Sequence, residues 1–375
     1  MSKQAGGGFY SWNGKLLQSD IVYSCVRPYA AAIGKLLPKH IRETVRNGKT
    51  EFSEDPDPFI KILLEEPNPY MSGQKLLERL GWQLKLNANA FAVVLRDEMG
   101  APLAIYPLPG NSVETDMETE KGTLILWFSM PDGKRYAFYY SDIIHLRLNY
   151  DGQDEIFGTS PAAALAPLME QVTVIDQGII KAIKNSNVIQ WLLKFNASIR
   201  PEDIQTHAEA FAESFMKIDG GSVGVAAVDT KTDAVQVEPK NYVPNAPQMD
   251  RTTQRIYSML GTNEKITQNK YSEDEWNAYY EAEVEPAAID LKNGFTTRVF
   301  SRRQRAHGNK IIFESTNLAT ASMKTKLALV AMVDRGAMSP NEWRKIMNMG
   351  PVEDGDKLIR RLDTKPVEGV KEGET

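Results

Sequence analysis

The hydrophobic positions fall into stretches of two different periods, and the changes of period divide the chain. Asp20 offers an N-cap to a stripe of Val22, Cys25, Val26, Tyr29, Ile33 and Leu36, spaced by threes and fours as one buried helix face requires; Pro38 stops it. Residues 54–58 read as a proline-punctuated loop, 59–66 as a short helix closed by Pro67-Asn68-Pro69, and 72–87 as a second long helix. From Ala90 the period drops to two. Residues 90–96, 101–108, 123–129, 135–140 and 143–148 read as strands, with turn signals at Met99-Gly100, Pro109-Gly110 and Asp132-Gly133 between them. Helices followed by a run of strands predict an α+β domain over about residues 20–150.

Residues 160–187 are helical by period and carry few charges, with Pro161 in the first turn and Pro167 expected to bend the chain. A small α/β unit follows: an apolar run at 188–195, a helix from Pro201 with Ile204, Ala208, Phe211 and Phe215 on one face, and strand-like 223–228 and 234–238. Residues 246–260 form another helix, with Met249, Thr253, Ile256, Tyr257 and Leu260 on one side. Residues 261–271 are polar with no apolar face and read as a loop, mobile between its anchored ends. Ser272 and Glu275 then make a capping box, and Trp276, Tyr280, Val284, Ala287 and Leu291 carry a stripe through Pro286, which predicts a helix with a built-in kink. After a basic segment come a strand at 310–314 and helices at 320–335 and 341–347, the second restarted by Ser339-Pro340 with Glu342. The Gly-rich first 19 residues read as an irregular arm and the charged last dozen as disordered.

Composition narrows the class. Hydrophobic residues make up 42% and charged residues 25% of the 375, which fits a folded chain of two or three units and excludes collagen-like, wholly disordered and disulfide-stapled proteins. Cys25 is the single cysteine; it reads as core filler and excludes an internal disulfide or a cysteine-rich zinc site. The net charge of -5 excludes a basic coat for nucleic acid, so any such contact is local. No apolar run approaches the roughly 18 residues that span a bilayer, and residues 1–8 lack the apolar stretch of a secretory signal, so the reading is a cytoplasmic chain with no membrane contact.

Enzyme chemistry finds little support. A phosphate cradle is missing, the nearest fragment being Asn13-Gly14-Lys15-Leu16, and Gly220-Gly221-Ser222-Val223-Gly224 precedes a strand where a dinucleotide fingerprint would follow one. His40, His145, His207 and His307 are scattered, and no nucleophile elbow exists. The expectation is a non-enzyme with no catalytic residue, metal or cofactor. Charge segregation does stand out. Residues 261–286 hold seven acids, Glu264, Glu273, Asp274, Glu275, Glu281, Glu283 and Glu285, against Lys265 and Lys270, whereas 292–310 hold six bases and no acid. Such blocks suit two solvated faces, complementary patches on neighbouring copies, or, for the arginines, phosphate contact.

The order of elements and a series of strings resemble the HK97-type phage portal family. They are Val22-Tyr23-Ser24-Cys25-Val26; Glu66-Pro67-Asn68-Pro69-Tyr70-Met71-Ser72; Leu86-Asn87-Ala88-Asn89-Ala90-Phe91; Tyr106-Pro107-Leu108-Pro109; Ile144-His145-Leu146-Arg147; Phe157-Gly158-Thr159-Ser160-Pro161; and the run from Asp334-Arg335-Gly336 through Ser339-Pro340-Asn341-Glu342-Trp343-Arg344 to Gly355-Asp356. The resemblance covers about residues 20–360 and implies an α+β, portal-like multi-part subunit: an arm at 1–19, a wing at 20–160, stem helices at 161–187 and 244–260, a small α/β clip at 188–243, a tunnel loop at 261–272, a spine helix with a return to the wing at 273–317, a helical crown at 318–362 and a tail at 363–375. It further implies a homo-oligomeric ring, the family's usual dodecamer, in the virion and assembled in the host cytoplasm. Double-stranded DNA would pass through it in packaging and ejection, with the terminase large subunit, the major capsid protein and a head–tail adaptor as partners. Lys265, Gln268, Asn269 and Lys270 would line the channel, and Arg298, Arg302, Arg303 and Arg305 would form a subunit interface or touch phosphate. Gly261-Thr262-Asn263-Glu264 departs from the Gly-Val-Pro-Pro turn of many relatives. The alternatives are a helix-turn-helix DNA binder built on residues 334–349, against which Trp343, Ile346 and Met347 make the second helix apolar, and a portal of a prophage or gene-transfer particle.

Overall fold

The computed structural model describes residues 8–10, 19–46, 49–108, 112–118, 122–130, 132–149, 156–186, 190–195, 200, 204–206, 209, 232–237, 246–314 and 323–359. It divides into two compact units, Met1–Ala162 with Tyr257–Thr375, and Ala163–Ile256. The expected strand at 223–228, most of the helix from Pro201 and the C-terminal tail lie outside the described residues.

In the larger unit the chain runs β1 (Gly8–Tyr10), α1 (Asp20–Gly34), β2 (Leu37–Arg46), β3 (Lys49–Glu54), α2 (Pro58–Glu65), α3 (Gly73–Asn87), β4 (Asn89–Arg96), β5 (Pro102–Pro107), β6 (Ser112–Glu118), β7 (Thr123–Ser129), β8 (Arg135–Tyr139) and β9 (Ile143–Arg147). The smaller unit holds almost all of α4 (Ala162–Ser186), an antiparallel pair of β10 (Gln190–Phe195) and β11 (Thr232–Val237), and most of α5 (Ala246–Met259). The chain returns through α6 (Glu264–Thr267), α7 (Glu273–Tyr279), α8 (Glu285–Val299), α9 (Arg302–Ala306), β12 (Asn309–Glu314), α10 (Met323–Ala328), α11 (Val330–Asp334) and α12 (Pro340–Ile346).

Three antiparallel sheets, in the orders β12-β2-β3, β5-β4-β9 and β1-β6-β7-β8, organise the larger unit. β4 is buried on both faces, which is why its sequence is apolar without a break. Ala90, Ala92 and Val94 face a core shared with Tyr29, Leu77, Leu80, Leu84, Leu291 and Phe295, while Phe91 and Val93 face a second core with Val113, Leu126 and Phe128. α1 and α3 meet closely at Gly81, where a Cβ would come 3.1 Å from the Cα of Ala30 and 3.2 Å from the Cβ of Ile33.

Several expectations need correction. Ser19, whose side chain accepts from the Val22 amide, caps α1, and Asp20 is its first residue. β2, β3 and β6 carried no clear period-two signal, since β3 is mostly exposed and Val113 is the buried residue of β6. Within the arm, Gly8–Tyr10 pairs with Ser112–Glu114 rather than being irregular. The capping boxes at Ser272 and Ser339 are as expected, and where a kink was expected the helix makes one wide π-type turn over Tyr280–Val284, just before Pro286. Pro286 lacks the amide that would bond back to residue 282, and widening the turn accommodates the loss.

His145, on β9, lies 92% out of solvent beside Phe91. Its Nε2 is 3.1 Å from Asn89 Oδ1 and its Nδ1 3.2 Å from the Tyr140 hydroxyl, and Asn89 in turn accepts from the Gly158 amide and donates to the Gly158 carbonyl. These bonds tie residue 158, just ahead of α4, to the central sheet. Burial holds the imidazole down to about 3, and Arg147 and Arg298 push the same way.

Two outcomes are expected. Gly81→Val drives a branched side chain into Ala30 and Ile33; it should cost about 1–3 kcal/mol, less the roughly 0.3 kcal/mol by which Val exceeds Gly in helix propensity, and lower the urea midpoint. An unchanged or higher midpoint would mean that the helices separate freely. For His145, the folded protein refuses a proton that the unfolded chain accepts near pH 6.5, so the residue's contribution to stability is complete above that pH and is lost as the pH falls toward about 3, at up to ~1.4 kcal/mol per pH unit. Thermal unfolding of parent and His145→Gln should therefore converge below about pH 6, whereas a constant gap would place a proton on the folded imidazole.

Candidate functional site

Residues 261–272 follow α5 directly. The chain leaves Leu260 through Gly261 at φ +57°, a left-handed conformation suited to glycine, and the Asn263 side chain caps α6 by accepting from the Ile266 amide at 3.0 Å. Here the loop expectation fails in one respect. Ile266 is fully buried in the larger core, so the segment has an apolar anchor at its middle, and one isoleucine in a polar run gave no periodic signal.

The four residues expected to line a channel are all exposed, and their side chains are engaged to different degrees. Lys265 pairs with Glu275 of α7, and that ammonium, with the Ser272 amide, holds the Glu275 carboxyl down to about 2. Gln268 donates to Glu264 at 2.8 Å, one turn back. Asn269 sits at φ +57°, and Lys270 is exposed, its amide bonded to the Lys265 carbonyl at 2.8 Å. All four side chains reach solvent, so the surface presented is polar with two amines, one already matched by a carboxylate.

The structure splits the basic block. Arg298 is structural: its Nε donates to the Ile143 carbonyl at 2.9 Å, its guanidinium lies 4.9 Å from the Tyr140 ring centre, and its own carbonyl accepts from Arg96 at 2.5 Å. Arg305 is half-buried, with its Nε out of contact with water. Arg302 and Arg303 are exposed on α9, which Ser301 and Gln304 cap reciprocally. They are joined by a residue that the sequence did not single out. Arg42 of β2 lies opposite Asn309 and donates to its side chain, which also bonds His40. Only the strand register could have revealed it. At the other end of the same kinked helix Glu273, Asp274, Glu281 and Glu285 are exposed, while Glu283 turns inward to Lys85. At 1.5 Å per residue the exposed acids from Glu273 to Glu285 lie roughly 20–40 Å along the helix from its end at Val299.

Among the described residues no group of three or more His, Cys, Asp or Glu is placed to hold a metal ion, and no helix is long and apolar enough to cross a membrane. The helix-turn-helix alternative fares poorly, since Trp343 turns back to donate its indole N–H to the Lys326 carbonyl at 3.0 Å instead of standing out from α12 to meet a base.

Residues 20–348 match the family described as phage portal protein. The portal protein of Enterobacteria phage HK97 is 22% identical over 368 residues, covering 94% of this chain and 84% of that protein. Among solved structures, a chain from the neck of an empty gene-transfer-agent particle computed with C6 symmetry superposes with a TM-score of 0.65 at 14% identity, covering 94% of this chain and 98% of its own. A chain from the native particle's neck, computed with C12 symmetry, gives 0.63 at 13% identity, covering 93% and 97%. These superpositions show that the fold is shared.

Proposed function

The chain belongs to the phage portal protein family, and from that premise we propose that it assembles with copies of itself into a twelve-fold ring at one vertex of a phage or gene-transfer capsid. The ring is the passage for double-stranded DNA during packaging and ejection. The family match along residues 20–348 carries this reading, and the C12 symmetry of the similar neck supports the subunit number. Residues 20–160 act as the wing, 161–187 and 244–260 as the stem, 188–243 as the clip, 273–317 as spine and return, and 318–362 as the crown. The role is mechanical: a separate terminase supplies the hydrolysis of ATP, and the major capsid protein and a head–tail adaptor complete the contacts of a virion assembled in the host cytoplasm.

The surface of one subunit suits such packing. α4 leaves Val174 and Ile180 exposed along 25 residues, and α10 and α11 expose Met323, Leu327 and Met332. Heterologous contacts close into a ring when the rotation per subunit divides the circle, and opposite charge patches favour one register over its neighbours. The exposed carboxylates of α7 and the adjoining turn supply one sign, and Arg302 and Arg303 the other. The 261–272 segment is the tunnel loop, with Lys265, Gln268, Asn269 and Lys270 brushing the phosphates. Two amines per subunit make a weak, salt-sensitive contact, which suits a conduit through which DNA slides.

Reversing Arg302 and Arg303 to Glu should reduce ring yield at low salt, scored by electron microscopy, while the unfolding midpoint of the subunit stays within about 0.5 kcal/mol of the parent. Rings formed as readily as by the parent would remove these arginines from the interface. Replacing Lys265 and Lys270 by Ala should preserve rings but alter the length of DNA packaged and held in complete particles; normal retention would mean that the loop does not handle DNA.

A further inference from the structure

Where the chain crosses from α5 into the 261–270 segment, it runs over a half-buried carboxylate. A Cβ on Gly261 would collide with the carboxylate of Glu283, so the backbone there lies directly on that group. Glu283 belongs to the wide turn ahead of Pro286, and its Oε2 is 2.5 Å from the Nζ of Lys85 on α3. Lys85 is 9% exposed, and its ammonium lies 4.8 Å from the Tyr29 ring centre. A buried pair of this kind is a poor source of stability, because desolvation offsets most of the attraction. Its value lies in geometry.

The surroundings are short of hydrogen bonds. The hydroxyls of Tyr29, Tyr279 and Thr262 are buried with no partner. Burial raises both phenols above their ordinary range, and the nearby Glu283 carboxylate adds to each shift. Cys25 is pushed up to about 12 by the same burial, with Lys85 opposing. Unpaired buried hydroxyls are uncommon and mark places where packing has not been tuned for stability, and π-type turns recur at functional positions.

We propose that Lys85 and Glu283 are positioning residues for the 261–270 segment: the carboxylate, held by the ammonium, is the seat on which Gly261 rests and from which α6 is aimed. The neighbouring hydroxyls of Tyr29, Tyr279 and Thr262 make no bond to the carboxylate, so the Lys85 ammonium is what holds it under Gly261, while Ile266 anchors the segment further along. The inference rests on the tunnel-loop reading only for its consequence in DNA handling, since the seat itself is a property of the subunit. An ordinary stabilising pair would make a different signature, a loss of protection throughout the larger unit.

The test is hydrogen exchange on the full-length subunit. The amides of Thr267, Gln268 and Lys270 are bonded within the segment and report on its order, and that of Thr262, bonded to the Tyr257 carbonyl of α5, reports on its junction with the helix. In the double variant Lys85→Met with Glu283→Gln, which removes both charges and strands neither, these amides should exchange about tenfold faster or more, while those of β4 and β9 keep their parent rates. Lys85→Arg, which keeps the charge, should stay close to the parent. Should the double variant not fold, Glu283→Gln alone, which keeps the side chain's shape but removes the charge that Lys85 holds, must give the same local loss. Exchange unchanged in the segment, or quickened equally in β4 and β9, would overturn the proposal. Faster local exchange with normal DNA retention in particles would leave the seat standing and remove the segment from DNA handling.

Discussion

Strand β4 must satisfy two hydrophobic cores at once, and the larger unit depends on that constraint. Its alternate residues face opposite ways, Ala90, Ala92 and Val94 toward the helices and Phe91 and Val93 toward the four-stranded sheet. Neither layer would be anchored to the other without it. The small residues on the helix side let α3 come close, whereas the larger ones on the sheet side fill the space beside Phe128 and Phe157. Asn89, at the start of the same strand, adds the polar tie to Gly158 and His145. A one-residue slip of β4 would exchange the two faces and break all of these contacts together.

Elements with a dominant face were legible in the sequence. α1, α3, β4, β7, β9 and the capped starts of α7 and α12 lie within a residue or two of where period and caps put them, because the helices bury one coherent stripe, β4 and β9 are apolar throughout, and β7 alternates. β2, β3 and β6 were not, since a strand whose place comes from its neighbours' hydrogen bonds needs few buried side chains of its own. The π-type turn was hidden for another reason. Steps of four residues, as from Tyr280 to Val284, fit a turn of 3.6 residues and a wider one almost equally, so the apolar stripe passes through it unbroken. Pro286 pointed to a kink but not to its form.

The site was legible in part. Charge segregation around the kinked helix could be read as counts, but not which charges face outward: Arg298 is spent on the Ile143 carbonyl and Tyr140, and Glu283 on Lys85. Partners such as these lie more than a hundred residues away in sequence, beyond any local pattern. Ile266 shows the same limit on a smaller scale, one buried side chain deciding that a polar stretch is held instead of free.

The sheet edges bear on a different matter, the time a subunit spends alone. Open strand edges invite pairing with other chains and lead to aggregation. The edges here are blunted. β1 has three residues and β8 five, β5 begins and ends with proline, and β3 carries Lys49, Glu51 and Glu54 along its length. With strand addition blunted at those edges, the uncovered apolar positions of α4, α10 and α11 are the surfaces left for another chain to pack on, and contact there would leave the sheets of both partners intact.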